Sequence, residues 1–159
     1  MNRVKKHLMP KRKIAERLRR MGFTVTLIPP SHGYDLLVGN RLRVALRVAY
    51  PRVRSHRVTS KGRRYEYKYR SWHFNFHRHG RIDRRYADVV VCLGVEPRQG
   101  EREKIFVIPW EVVSGKTFSL HAARCDYDGR YAPYRDNWRV IRAALDGSHD
   151  GTDGLRDVA

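Results

Sequence analysis

Basic and aromatic side chains alternate along the segment RRYEYKYRSWHF, which spans residues 63–74. Arginine and lysine bind phosphate groups, and tyrosine or tryptophan rings stack on unpaired bases or sugars. This pattern predicts a surface that follows a nucleic-acid backbone. It shows no helix-turn-helix, zinc-finger or ribonucleoprotein signature, so it predicts no base-specific contact.

The stretch before it, residues 51–64, is rich in basic residues and has no apolar periodicity. No acid lies between Arg41 and Tyr65, so these cations repel one another unless an anion binds them. We expect a mobile basic loop or a hairpin tip, turning at Lys61-Gly62, that contacts phosphates rather than bases. The candidate nucleic-acid contacts are Arg52, Arg54, Arg57, Lys61, Arg63, Arg64, Arg70 and Arg78.

The net charge also favours a nucleic-acid partner. The chain has 34 Lys and Arg against 16 Asp and Glu, and its first 86 residues hold 24 of those bases but only 4 of the acids. Self-repulsion opposes such a polycation unless a polyanion neutralises it, so nucleic acid is the expected partner, ahead of an acidic membrane surface. A hydrophobic share of 41% excludes a purely disordered basic tail. No apolar run approaches about 20 residues, so we expect no membrane span.

Hydrophobic periodicity predicts the elements that position these residues. Ile14, Leu18 and Met21 indicate an amphipathic helix that begins near Pro10 and ends at Gly22. Strands are expected in FTVTLI, YDLLV, RLRVALRVAY, RRYEYKYRSWHFNF, ADVVVCLGV and IFVIPW, with an edge strand at 117–120. A final helix is expected from Pro133. The expected fold class is α/β or α+β, with a central mixed sheet of four to five strands flanked by helices.

A single domain is expected over residues 1–145, followed by a disordered acidic tail over 146–159 that is rich in Asp and Gly. Within the strand RLRVALRVAY, alternation places Val44, Leu46 and Val48 on one face. Ala45 and Arg47 lie on the opposite face.

The order of these segments resembles the PD-(D/E)xK nuclease superfamily, in its archaeal-resolvase-like or homing-endonuclease-like branch. The similarity rests on IAERLRRMGFTV, GYDLL, RVALRV, SWHFNFHRHG, YADVVVCLG, IFVIPWEVV and YAPYRDNWRVI, and it covers roughly residues 10–145. It implies a restriction-endonuclease-like fold and Mg²⁺- or Mn²⁺-dependent hydrolysis of phosphodiester bonds in DNA.

The resemblance implies that Asp35 is the first metal-binding carboxylate and that Glu16 is an added helix glutamate. Where the family has Glu-x-Lys, this chain has Ala45-Leu46-Arg47. Alanine cannot bind a metal, and Arg47 stays protonated where a lysine near neutrality would be required. We therefore expect weak or absent cleavage. Asp35 as a turn acid and Glu16 as a solvated helix residue remain open alternatives.

A second Glu-x-Lys occurs as Glu66-Tyr67-Lys68 on the next long strand. A migrated site would use Asp35 and Glu66 as metal ligands and Lys68 as the cation. The stronger alternative is that RRYEYKYR is an ordinary exposed strand.

Three histidines, His73, His77 and His79, lie on or just after this strand. Arg78 stands in the middle of the His-x-His pair, where nucleases with that motif have a hydrophobic residue. Phosphate contact or simple exposure explains these histidines better than a metal site.

The two cysteines, Cys92 and Cys125, form neither a disulfide framework nor a zinc motif and favour the reducing cytoplasm, with nucleoid association as an alternative. The expected function is a DNA-binding protein of nuclease fold, a divergent or catalytically weakened endonuclease acting on duplex or branched DNA. Its cofactor would be Mg²⁺ or Mn²⁺ if it is active and none otherwise. A non-enzymatic binding module, a basic ribonucleoprotein subunit and a homodimer remain open.

Overall fold

The computed structural model describes residues 3–77, 87–121 and 129–147, with side chains from residue 8 onward. Within these ranges the chain forms two helices and eight strands of an α+β fold. In chain order they are α1 Arg3–Arg20, β1 Val25–Leu27, β2 Leu36–Val38, β3 Leu42–Ala49, β4 Arg52–Ser60, β5 Arg63–Asn75, β6 Val89–Gly94, β7 Lys104–Pro109, β8 Thr117–His121 and α2 Arg139–Gly147.

The main sheet has five strands in the order β1-β2-β3-β6-β7. Strands β1, β2 and β3 form an antiparallel meander, β6 runs parallel to β3, and β7 is antiparallel to β6. Residues 39–41 form the turn between β2 and β3, and Gly39 and Asn40 have φ of 59° and 60°, a left-handed conformation that glycine and asparagine adopt readily. The predicted mixed sheet is therefore confirmed.

Each face of the main sheet buries its own hydrophobic cluster. On one face, Ile14 and Leu18 of α1 and Ile141 of α2 pack against alternate residues of β3, β6 and β7. On the other face, Trp72 and Phe74 pack with the remaining alternate residues of those strands. Because β6 is buried on both faces, its sequence is continuously apolar rather than alternating.

A second sheet, in the order β4-β5-β8, supplies the cover for that second face. Only the C-terminal half of β5 covers the main sheet, since Trp72 and Phe74 are buried whereas residues 63–68 are exposed. Ala45 and Ala49 are the β3 residues under this layer, and their small side chains leave room for the aromatic rings.

The structure corrects the predicted start of both helices. Helix α1 begins at Arg3 instead of near Pro10, so Pro10 lies inside the helix, where proline cannot donate the usual backbone hydrogen bond. Helix α2 begins at Arg139 instead of Pro133, which lies in a short 3-10 turn. Asp136 has φ of 47° between the two, and this left-handed conformation interrupts the helix.

Residues 51–64 were predicted to be a loop or a hairpin tip, and the structure shows a hairpin whose first strand is long. Residues Arg52–Ser60 form strand β4, which pairs with β5 over nine residues. Lys61 and Gly62 form the turn, as predicted, with φ of 48° and 73°. Strand β4 has no apolar alternation because neither of its faces is buried.

The acidic tail was predicted to start at Asp146, but α2 continues through Asp146 to Gly147. Residues 148–159 and Cys125 lie outside the described residues. Cys92 is fully buried as predicted, and burial raises the pKa of its thiol. Neither α1 nor α2 is long and apolar enough to cross a membrane.

Candidate nucleic-acid interface

A two-stranded ribbon projects from the second sheet. We call residues 52–69, which comprise β4, the turn and the first part of β5, the basic arm. Its nine cross-strand pairs run from Arg52–Ser71 to Ser60–Arg63, a length of about 27 Å. Residues 52–68 are exposed throughout, on both faces of the ribbon. An isolated two-stranded ribbon is marginally stable in water, and the arm is joined to the rest of its sheet where β5 pairs with β8.

The charge of the basic arm is strongly one-sided. Its single acid, Glu66, lies 3.9 Å from the guanidinium Nε of Arg57 in an exposed ion pair. The arm carries seven exposed lysine and arginine side chains, namely Arg52, Arg54, Arg57, Lys61, Arg63, Arg64 and Lys68. Cations this dense and this exposed repel one another and attract a polyanion.

The pairing register assigns these side chains to two faces, because directly paired residues of antiparallel strands lie on the same side. We call one side the tyrosine face: Tyr65, Tyr67 and Tyr69 lie opposite Val58, His56 and Arg54 in turn. The other side carries Arg57, Arg64, Glu66 and Lys68. Both faces therefore present cations.

Arg70 anchors the base of the arm instead of projecting from it. Its guanidinium donates to both carboxylate oxygens of Glu96, at 2.7 and 3.2 Å, and the Glu96 side chain is fully buried. This hydrogen bonding lowers the pKa of the Glu96 carboxyl and raises the pKa of Arg70. Of the predicted nucleic-acid contacts, Arg70 is thus paired with a buried carboxylate, whereas the ion pair of Arg57 with Glu66 is exposed. Arg78 lies outside the described residues.

Trp72 makes the second anchor of the arm. Its indole Nε1 donates to the carbonyl of Val95 at 2.8 Å, and the guanidinium carbon of Arg70 lies 5.3 Å from its ring centroid. Neither Glu96 nor Val95 was singled out from the sequence. Glu96 lies 26 residues from Arg70, a separation at which no local pattern signals an ion pair.

Asp35 lies just before β2 and is held by β3. Its backbone N–H donates to the carbonyl of Val44 at 2.9 Å, and its carboxylate oxygen Oδ2 accepts from the N–H of Leu46 at 2.7 Å. Asp35 thus bonds to β3 at the residues directly before and after Ala45, the alanine of the degenerate triplet.

Lys11 of α1 lies beside Asp35. Its ammonium Nζ is 3.9 Å from Oδ1 of Asp35 and hydrogen bonds to the carbonyl of Ile28, and its side chain is 12% exposed. Sequence analysis left Lys11 off the apolar stripe of the helix. Its spacing of three and seven residues from Ile14 and Leu18 was the signal that it shares their face.

The other residues of the predicted catalytic set lie apart from Asp35. Glu16 is exposed on α1 and has no ion pair with a described residue. Glu66 and Lys68 belong to the basic arm in the other sheet, and no hydrogen bond or ion pair joins Glu66 to Asp35. Arg47 donates to the carbonyl of Leu46 at 3.0 Å and lies opposite Cys92.

These surroundings do not fit the Mg²⁺ or Mn²⁺ ion that the resemblance implies. Such an ion needs about two carboxylates besides a substrate phosphate. Asp35 has an alanine near it on β3 and a lysine ammonium beside it, and it already accepts a backbone hydrogen bond. No three His, Cys, Asp or Glu side chains converge within residues 8–77, 87–121 and 129–147. We therefore derive no metal-dependent step.

The histidines are dispersed as well. His73 Nδ1 lies 2.7 Å from the hydroxyl of Ser119, a neighbouring strand residue, while His79 falls outside the described residues.

Elsewhere, a cleft of about 740 Å³ lies beside α2 and includes Arg43, Asp88 and Trp110 in its lining. Arg43 is hydrogen bonded to Asp88 at 2.9 Å, which raises the pKa of the guanidinium. None of the predicted site residues lines this cleft.

The chain matches no protein-family model, no curated protein and no solved structure with which it was compared.

Proposed function

We propose that this protein binds DNA through its basic arm and that its core is of the restriction-endonuclease-like type, with cleavage weak or absent. One observation carries the proposal: seven cations project on a two-stranded ribbon in which residues 52–68 are all exposed. A two-stranded ribbon is one of the two elements that the major groove of duplex DNA admits. Arginine and lysine side chains on its faces would contact the flanking phosphates.

Two features support the nuclease-like core. The first is the order of elements. Helix α1 is followed by the antiparallel meander of β1, β2 and β3, and β6 later lies parallel beside β3. Asp35 also bonds to Val44 and Leu46, the neighbours of Ala45, where the resemblance expects a second carboxylate. Lys11 supplies a positive charge next to Asp35, so the carboxylate is balanced without a metal. A binding protein descended from a nuclease accounts for both features.

Salt dependence tests the binding proposal. If the arm neutralises about six phosphates, the logarithm of the association constant should fall against the logarithm of salt concentration with a slope of about −5. Fluorescence anisotropy with a labelled duplex measures this slope directly. A slope near zero, or no binding at about 50 mM salt, would exclude DNA binding by the arm. Preference for a structured RNA of equal length would favour a ribonucleoprotein subunit.

Cleavage assays test the second half of the proposal. Wild-type protein in Mg²⁺ or Mn²⁺ should nick supercoiled duplex DNA no faster than the metal-free control, because a single carboxylate localises these ions poorly. Asp35→Ala and Glu66→Ala should then match wild type. Ala45→Glu is a designed restoration, because it adds a second carboxylate near Asp35. Metal-dependent cutting that both deletions abolish would contradict us and establish a site shared by Asp35 and Glu66. Activity appearing only in Ala45→Glu would support an inactivated nuclease.

A further inference from the structure

The tyrosine face of the basic arm has a composition that duplex binding does not require. Tyr65 and Tyr67 are 43% and 56% exposed, and neither ring belongs to a hydrophobic cluster. Within the described part of the chain, neither hydroxyl has a hydrogen-bond partner. Phosphate contacts do not require an aromatic ring, whereas stacking on a base does.

The two rings are arranged in parallel rather than edge to face. Their centroids are 6.5 Å apart and their planes are inclined by 22°. A flat base held between two rings needs about 6.8 Å, which is twice the 3.4 Å base-stacking distance. The distance between the centroids of Tyr65 and Tyr67 is close to this value, and both rings are exposed.

Basic side chains accompany these rings without any competing carboxylate on the same face. His56 lies directly opposite Tyr67, and Arg54 lies opposite Tyr69. Arg63 is on the same side, two residues before Tyr65. Glu66, the single acid of the arm, is on the other face. Stacking rings beside backbone-binding cations are the combination by which proteins hold single-stranded nucleic acid.

We propose that the tyrosine face stacks on unpaired bases, so that the preferred target is DNA containing a single-stranded segment. This inference rests on the proposed DNA binding and adds the substrate class. The opposite face, with Arg57, Arg64 and Lys68 and no aromatic ring on the arm, offers phosphate contacts only, while Arg54 and Arg63 on the tyrosine face contact phosphates of duplex and single strand alike. Such a ribbon would bind where duplex and single strand meet.

Substitutions that separate ring stacking from hydrophobicity test this inference. Affinities are measured by anisotropy at about 0.1 M salt for labelled oligo(dT) and for a duplex of equal length. Tyr65→Leu and Tyr67→Leu keep an apolar side chain but remove the aromatic surface. Each should weaken oligo(dT) binding by at least about fivefold, whereas duplex affinity stays within about twofold. Tyr67→Phe should retain oligo(dT) affinity because it retains the ring.

The outcomes distinguish the two proposals. Leucine variants that bind oligo(dT) like wild type would overturn stacking, and so would leucine variants that lose duplex and oligo(dT) binding equally, since the rings would then only hold the ribbon together. Wild type that binds duplex but not oligo(dT) overturns the inference and leaves DNA binding intact. Wild type that binds neither probe overturns the proposed function itself.

Discussion

Replacing Arg54, Arg63 and Arg64 together with alanine should weaken binding to duplex DNA by about 10²- to 10³-fold at 0.1 M salt. Three lost phosphate contacts change the salt slope by about 2.7, and this difference accumulates between 1 M and 0.1 M salt to a factor of roughly 500. The three arginines are exposed and make no ion pair with a described residue, so their removal should leave folding intact. The weakening should be about equal for every DNA sequence, because phosphate contacts do not read bases.

The matched control removes the same charge elsewhere. Arg12, Arg130 and Arg139 are also exposed and likewise make no ion pair with a described residue, but they lie outside the basic arm. Their triple alanine variant should lose far less affinity and should keep the wild-type salt slope. Equal losses in the two variants would show that net charge alone attracts DNA and that the arm has no special role.

The main sheet was predictable because the burial of its strands requires apolar residues that can be recognised in the sequence. Strands β6 and β7 are buried on both faces, which makes ADVVVCLGV and IFVIPW nearly continuous apolar runs. The Gly39-Asn40 turn fixed the pairing of β2 with β3. Once that turn is predicted, Asp35 and Ala45 must lie close to each other across the two strands.

Strand β4 could not be predicted in this way. Hydrophobic periodicity arises from burial on one face, and no residue of β4 is buried. Its propensity for β-structure lies in Val53, Val58 and Thr59, which are scattered among arginines. The same limit applies to the site. Lys11 beside Asp35 depends on how α1 lies across the sheet, and Glu96 beside Arg70 depends on how the arm is attached. Neither is a property of one segment.

Trp72→Ala should lower the free energy of unfolding by about 3–5 kcal/mol, the largest stability effect that we expect. The Trp72 side chain is fully buried, and its indole donates to the carbonyl of Val95. A Cβ atom at Gly94 would lie 3.1 Å from Cδ1 of Trp72, so β6 passes directly against the ring. Alanine would leave a cavity at this contact and an unpaired carbonyl at Val95. Urea unfolding followed by circular dichroism measures the change.

Trp72→Phe separates the two contributions. Phenylalanine keeps most of the buried ring but cannot donate to Val95, so the expected cost is about 1–2 kcal/mol. Trp72 is also where the guanidinium of Arg70 and the ammonium of Lys104 meet the ring, at 5.3 and 5.8 Å from its centroid. Loss of the indole should therefore increase backbone amide hydrogen exchange at Arg70 and Ser71 more than in β6. If both variants stay within about 1 kcal/mol of wild type, then the indole contributes little to stability, and the Arg70–Glu96 ion pair is the contact that holds the base of the arm.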